Sequence, residues 1–366
     1  MLCALVGCTT LSRDAYDERF GTPDPKRFDT PALPATAELS HHEQIQPILS
    51  RRCVVCHGCY DASCQLKLGA WEGVARGSSK LPVYDAERLR EAPPTRLFVD
   101  AQLPSQWRAK GFDAVLNERR DTPVDNLSGS VLYQSLALKQ QHPLLAQPVL
   151  GEAFDFSIDR DNACPRIDQF ADHAARNPLA GMPYGLPGLS ADEQAKLTRW
   201  LAAGSPYEGD VPLSTLQSEQ VRQWEVFLNG PSLKERLMSR YLYEHLFLGH
   251  LHFDADPAHR SFRIVRSASP MGQPVQIIAT RRPYDDPGTS NFYYRLEPER
   301  EVILAKTHMP YALNPARMDK YRRWFLVPGA AAGGRCAAVV RRGGGIEPVR
   351  GLPRPVARWS LPLPAR

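Results

Sequence analysis

The chain has 366 residues, enough for two or three domains, and 43% of them are hydrophobic, an ordinary share for a globular protein. Its 45 basic and 40 acidic side chains leave a net charge of +5 that is dispersed along the sequence. A nucleic-acid footprint needs basic residues gathered on one face, so no nucleic-acid partner is expected.

The segment from Met1 to Thr10 is small and apolar. Leu5-Val6-Gly7-Cys8 reads as the end of a bacterial lipoprotein export signal whose Cys becomes the lipidated N-terminus. The positive region and longer apolar core that normally precede it are missing, so a truncated signal is expected. No other run of about eighteen apolar residues exists, so no transmembrane helix is expected. Residues from about 9 to 40 are rich in Pro, Asp and Thr without a period, which predicts an extended leader. Residues 1–40 are therefore read as signal plus leader.

From Ser40 the pattern turns helical. Ser40 and Glu43 have the spacing of a capping box, and Ile45, Ile48 and Leu49 follow at helical intervals. The run Cys53-Val54-Val55-Cys56-His57 comes next. Two thiols three positions apart can add to the two vinyl groups of one haem, and the adjacent His can reach its iron. This is the spacing of covalent c-type haem attachment. Zinc is the alternative, with Cys59 and Cys64 completing the ligand set. Those two cysteines could otherwise close a short-loop disulfide or pack as small hydrophobes.

Residues 41–206 are predicted to form a mainly helical cytochrome c-like haem domain with a large insertion at about 65–175. The insertion wraps the haem edge or forms a subdomain of its own. After it, Met182-Pro183 is followed by a second capping box at Ser190 and Glu193, a stripe of Leu197, Trp200 and Leu201, and a stop at Gly204. A loop Met-Pro before a capped helix of this kind resembles the last third of class I cytochrome c domains. There the Met sulfur is the second axial ligand, an arrangement that raises the potential. Met182 is thus the distal candidate, with His142 and His173 as rivals.

A second, α+β domain is predicted over 212–328. Val221, Trp224, Phe227 and Leu228 form one helical face; Leu233, Leu237, Tyr241, Leu242, His245 and Leu246 form another. Strands are expected at 263–266, 275–278, 292–296 and 302–304. His245 and His252 would share a helix face if the helix ran through Gly249, giving a three-His metal site with His250; the favoured alternative is an aromatic-rich helix end with exposed His, because no nearby carboxylate completes a known metal motif. The loop Arg281 to Gly288 could hold a phosphate headgroup or be a salt-bridged turn. Residues 329–366 are an irregular Gly, Ala, Arg and Pro tail, read as out of frame after Val327 or as a basic disordered end. No phosphate loop, nucleophile elbow or paired-carboxylate motif appears.

The run Arg52-Cys-Val-Val-Cys-His-Gly-Cys-Tyr-Asp-Ala-Ser-Cys-Gln-Leu-Lys-Leu68 resembles the haem region of bacterial fatty acid cis/trans isomerases. Thr280-Arg-Arg-Pro-Tyr-Asp-Asp-Pro287, Phe292-Tyr-Tyr-Arg-Leu296, Lys306-Thr-His308 and Tyr321-Arg-Arg-Trp-Phe325 are also similar to that family. The resemblance covers roughly 10–328 and corresponds to the N-terminal half of the family's length. It implies a periplasmic c-type haem protein, peripheral or lipid-anchored at the membrane. It would convert cis double bonds to trans in unsaturated acyl chains of membrane phospholipids, without moving the bond. His57 and Met182 are then the iron ligands and catalytic candidates, and the insertion is the candidate acyl groove. An iron ligated on both faces has no open position for an alkene. Met182 would have to dissociate, electrons would have to pass through the haem edge, or Met182 is not a ligand. An electron-transfer cytochrome fused to a binding domain and a haem-based sensor are the competing readings.

Overall fold

The computed structural model describes residues 13–83, 93–144, 149–152, 154–157 and 163–327. The export-signal reading and the tail from Gly329 lie outside the described residues.

The first half is helical. Its helices are α1 (Arg13–Phe20), α2 (Gln46–Arg52), α3 (Val54–His57), α4 (Trp71–Arg76), α5 (Pro104–Ala109), α6 (Pro123–Ser128), α7 (Val131–Gln141), α8 (Phe170–Arg176) and α9 (Ala191–Ala202). Ile45, Ile48, Leu49 and Val54 from the α2–α3 region meet Leu197, Trp200 and Leu201 of α9 in one core. Trp71, Val74, Val115, Leu116, Leu132 and Leu136 join the same core. The long stretch after the cysteine run therefore packs with the helices that flank it. Each large apolar side chain buried there contributes about 1.5–3 kcal/mol. The indoles of Trp71 and Trp200 donate to the adjacent carbonyls of Ser205 and Pro206, at 3.0 and 2.9 Å, which satisfies both buried N–H groups.

The two predicted capping boxes differ. At α9 both arms form: Ser190 accepts from the Glu193 N–H, and the Glu193 carboxylate accepts from the Ser190 N–H at 2.9 Å. At the Ser40 helix start, Ser40 accepts from the Glu43 N–H, but its own N–H donates to Ala37 O, so the reciprocal arm does not form. Glu208 takes the N–H groups of His41 and His42 and the Ser40 hydroxyl. These bonds hold its carboxyl below the usual range against the opposing effect of burial. The first turn, His41–Ile45, is a π-turn ahead of α2.

The second half contains α10 (Thr215–Leu228), α11 (Leu233–His245), strands β1 (His250–Phe253), β2 (Ser261–Ser267), β3 (Tyr293–Pro298) and β4 (Pro310–Leu313), and α12 (Pro315–Tyr321). The sheet order is β3-β2-β1-β4, with β1–β2 and β2–β3 antiparallel and β1–β4 parallel. Val221, Trp224, Phe227 and Leu228 of α10 face its core, as expected. A buried ion pair pins α10 to β3: Arg295 Nε donates to Glu225 Oε1 at 2.8 Å, and the same oxygen accepts the Leu296 N–H.

Three expectations change here. The buried face of α11 is Met238, Leu242 and Tyr243, while Leu233 and Leu237 point outward, 75% and 44% exposed. Two Leu spaced by four lie on one face of any helix, and spacing alone cannot say whether that face is covered. Residues 275–278 form only an isolated bridge, Ile277 to Ser267, because Pro274 and the turn before it interrupt the edge. Residues 302–304 are not a strand but a strap laid on the first half. The Val302 N–H donates to Gly69 O at 2.8 Å, and Leu304 packs against Gly58 so closely that a Cβ at Gly58 would lie 3.0 Å from it.

Candidate active site at the cysteine pair

Cys53 ends α2 and begins the single turn of α3. The N–H groups of Cys56 and His57 both donate to Cys53 O, at 3.1 and 3.0 Å. The turn directs Val54 and His57 into the protein and leaves Val55 and Cys56 exposed. Cys53 packs against the core, and burial pushes its thiol up to about 12, so it stays protonated. Cys53, Cys56 and Cys59 are all free thiols.

His57 is buried, and its Nδ1 lies 3.2 Å from Leu66 O. A carbonyl can only accept, so Nδ1 carries the proton and the ring lone pair is on Nε2. The backbone repeats the closure, since Leu68 N–H donates to His57 O at 2.8 Å. This is the outer-shell arrangement that fixes the tautomer and orientation of a metal-ligating imidazole.

The loop behind His57 is braced by Cys64 and by residues that the sequence did not single out. Cys64 and Gln65 have positive φ, 55° and 49°, an unusual pair for residues with side chains. Cys64 is bonded to Cys164, with Cα atoms 5.7 Å apart. This corrects the Cys59–Cys64 alternative and removes Cys64 from any zinc set. Arg76 is 1% exposed and donates to Gln65 O and Thr95 O, with its guanidinium over the rings of Trp107 and Phe112. Burial lowers it to about 10, so it keeps its charge at neutral pH. The signal for Arg76 was an Arg inside an apolar helix stretch, Trp71-Glu-Gly-Val-Ala-Arg76.

Met182 is half-buried. Its N–H donates to Ser135 O of α7 at 2.9 Å, and Gly181 presses on Lys139, where a Cβ would fall 2.3 Å from the backbone nitrogen. Arg52, the residue before Cys53, donates to Gly188 O at 2.8 Å and pairs with Glu193 at 3.2 Å. The loop after Met182 is thereby tied to the turn that carries Cys53, Cys56 and His57.

The rival histidines sit elsewhere. His142 is exposed at the end of α7. His173 lines a cavity of about 440 Å³ with Lys80, Asp168, Asp172 and Arg176, beside Cys164. That charged lining does not suit an acyl chain. His245 stacks on Tyr241 at 3.8 Å, whereas His250 and His252 lie on β1, because the helix stops before Gly249. No group of three His, Cys, Asp or Glu side chains among the described residues is placed to hold a metal ion, which overturns the three-His reading. The loop Arg281 to Gly288 is held from β2 by Arg266, which donates to Pro283 O and Asp285 O. Lys306 lies against Cys59, which raises the Lys306 ammonium above its ordinary value.

In donor chemistry the residues fit a c-type haem: two unpaired thiols one helical turn apart, and an imidazole whose second nitrogen is already fixed. No curated protein and no solved structure matches the chain. The family model described as fatty acid cis/trans isomerase matches residues 92–331, more than half of the chain, beginning after the cysteine run. The strap that docks on Gly58 and Gly69 lies inside that match, and the chain belongs to the fatty acid cis/trans isomerase family, whose members are cis-trans isomerases.

Proposed function

We propose that the chain converts cis double bonds to trans, without shifting them, in unsaturated acyl chains of membrane phospholipids in the periplasm. A c-type haem would be held by thioether bonds to Cys53 and Cys56, with His57 as one iron ligand and Met182 as the other. The observation that carries this reading is His57, buried with Nδ1 committed to Leu66 O directly after two free thiols.

Rotation about a double bond requires that its π order fall. With both iron positions filled by His57 and Met182, the chemistry a bound haem would supply is withdrawal of π density through its edge. The chain's own part is positional. Leu66 holds the His57 ring; Arg76 and the Cys64–Cys164 bond hold the loop that carries Leu66; Arg52 holds the Met182 loop to the same turn. Leu304 and Val302 of the strap cover one side of the attachment turn, joining the matched region to the cysteine run.

The test is chemical. The chain is matured with haem and mixed with vesicles of cis-unsaturated phospholipid, and acyl chains are analysed by gas chromatography. Trans product with the bond position unchanged is expected. His57→Ala should abolish it while Cys53 and Cys56 keep the haem attached. Trans product undiminished in His57→Ala would sink the haem reading.

A further inference from the structure

The first two turns of α11 carry large apolar side chains on the outside of the helix. Leu233, Leu237 and Tyr241 recur every fourth residue, so they form one ridge. Leu233 and Leu237 are 75% and 44% exposed. The ridge is covered at Tyr241, which packs on Phe325 with ring centroids 5.2 Å apart, and the next residue back, Trp324, is 48% exposed. Lys320 sits over the Trp324 ring at 4.6 Å.

Charge decides what covers this face. Lys234 and Arg236 flank the Leu233–Leu237 ridge on either side of the helix, and Arg240 continues it. Arg322 and Arg323 are exposed beside Trp324. The acidic groups nearby are committed: Glu235 to its helix cap, Glu244 to Arg240 and Asp319 to Arg322. A short apolar ridge with an interfacial Trp, rimmed by cations on long stems, is the pattern of a helix lying flat on an anionic lipid surface. A protein interface core would instead be depleted of charge.

We propose that the α11 ridge and the Trp324–Phe325 turn form the surface on which this protein lies on an anionic phospholipid bilayer. Leu233, Leu237 and Trp324 enter the headgroup boundary, and Lys234, Arg236 and Arg323 meet lipid phosphates. α11 runs on into β1, where the His250 N–H donates to Met309 O, just past the strap that reaches the cysteine run. Docking therefore sets the bilayer on the matched region that contacts the attachment turn. This rests on the reading that the substrate is a phospholipid acyl chain.

The experiment is sedimentation of the full haem-loaded chain with vesicles of phosphatidylglycerol and phosphatidylethanolamine, and with phosphatidylcholine alone. Binding to the anionic vesicles is expected, weakening with salt, and roughly tenfold weaker in a Leu233→Asp, Leu237→Asp variant. Lipids brominated in the acyl chain should quench part of the tryptophan emission, and that part should vanish in Trp324→Phe. Equal binding by the double variant, or quenching unchanged in Trp324→Phe, overturns the proposal. So does a dimer in sedimentation velocity that the double variant abolishes, which would make the face a contact between copies. Conversion of detergent-dispersed cis fatty acid separates the two readings. Its retention in the double variant, with vesicle binding lost, is expected. Absence of conversion in the unaltered chain, with vesicle binding intact, would remove the proposed function and leave the docking face.

Discussion

Lys67 Nζ and Glu301 Oε1 meet at 2.7 Å across 234 positions of sequence, with the two side chains only 10% and 21% exposed. The pair lies between the loop behind His57 and the strap leading from β3. Its neighbours are the Val302–Gly69 backbone bond and the Leu304–Gly58 contact. Arg300, one residue earlier, adds contacts to Glu297 at 2.6 Å and Asp210 at 3.4 Å, and lies over Phe98.

Partial burial makes the Lys67–Glu301 pair worth more than a surface ion pair and less than a fully enclosed one. Glu301→Ala takes the nearest carboxylate from the Lys67 ammonium and leaves it the weaker attraction of Glu299. A loss of about 1–3 kcal/mol is expected. Thermal unfolding would measure it, and hydrogen exchange at the Val302 amide should rise with it. Unchanged exchange at Val302 would show that the strap is held without the pair.

The thiols give a second test. In the chain without haem, iodoacetamide should label Cys56 ahead of Cys53, because Cys56 is exposed while burial pushes the Cys53 thiol up to about 12. After haem maturation neither should label, whereas Cys59 still should. Cys64 and Cys164 should label only after reduction. Peptide mass spectrometry reads all five positions. Alkylation of Cys53 and Cys56 in the matured chain would contradict thioether attachment.

The elements near the site were legible where the signal is local. The cysteine run, the α9 capping box and the α10 core face follow from spacing within one or two turns. What was not legible depends on contacts across more than a hundred positions. Glu208, not Glu43, takes the N–H groups that follow Ser40, and Cys164 rather than Cys59 meets Cys64. The outward face of α11 failed for another reason. Periodicity reports that one side of a helix is apolar, not which side the fold covers. Val302–Leu304 has the residue types of a strand but docks by a single backbone bond and side-chain packing.

His41 links pH to stability. It is 1% exposed, between Trp200 and Tyr207, and neither ring nitrogen has a hydrogen-bond partner. Burial first, then the neighbouring His42, lowers its pKa from 6.5 to about 3. The unfolded chain therefore takes up a proton below pH 6.5 that the folded chain refuses until about 3. Stability contributed by neutral His41 is full above that upper value and falls by about 1.4 kcal/mol per pH unit below it. Urea midpoints between pH 7 and 5 should drop more steeply in the unaltered chain than in His41→Phe. Parallel slopes would mean that His41 is not the group responsible.

Gly181→Ala tests whether the seat of Met182 matters. An added Cβ would come within 2.3 Å of Lys139 N and 2.6 Å of Lys139 Cα, both backbone atoms of α7 that cannot swing aside. The loop must therefore lift, at a cost of about 1–3 kcal/mol, and the Met182 N–H bond to Ser135 O lengthens. Stability alone would not distinguish a packing role from a ligand role. The ferric absorbance of the haem-loaded chain does, because a Met–iron charge-transfer band depends on the sulfur position. The band should weaken in Gly181→Ala and be absent in Met182→Ala, with haem content unchanged in both. A spectrum identical to that of the unaltered chain in Met182→Ala would remove Met182 as the second ligand and leave one face of the iron for another group.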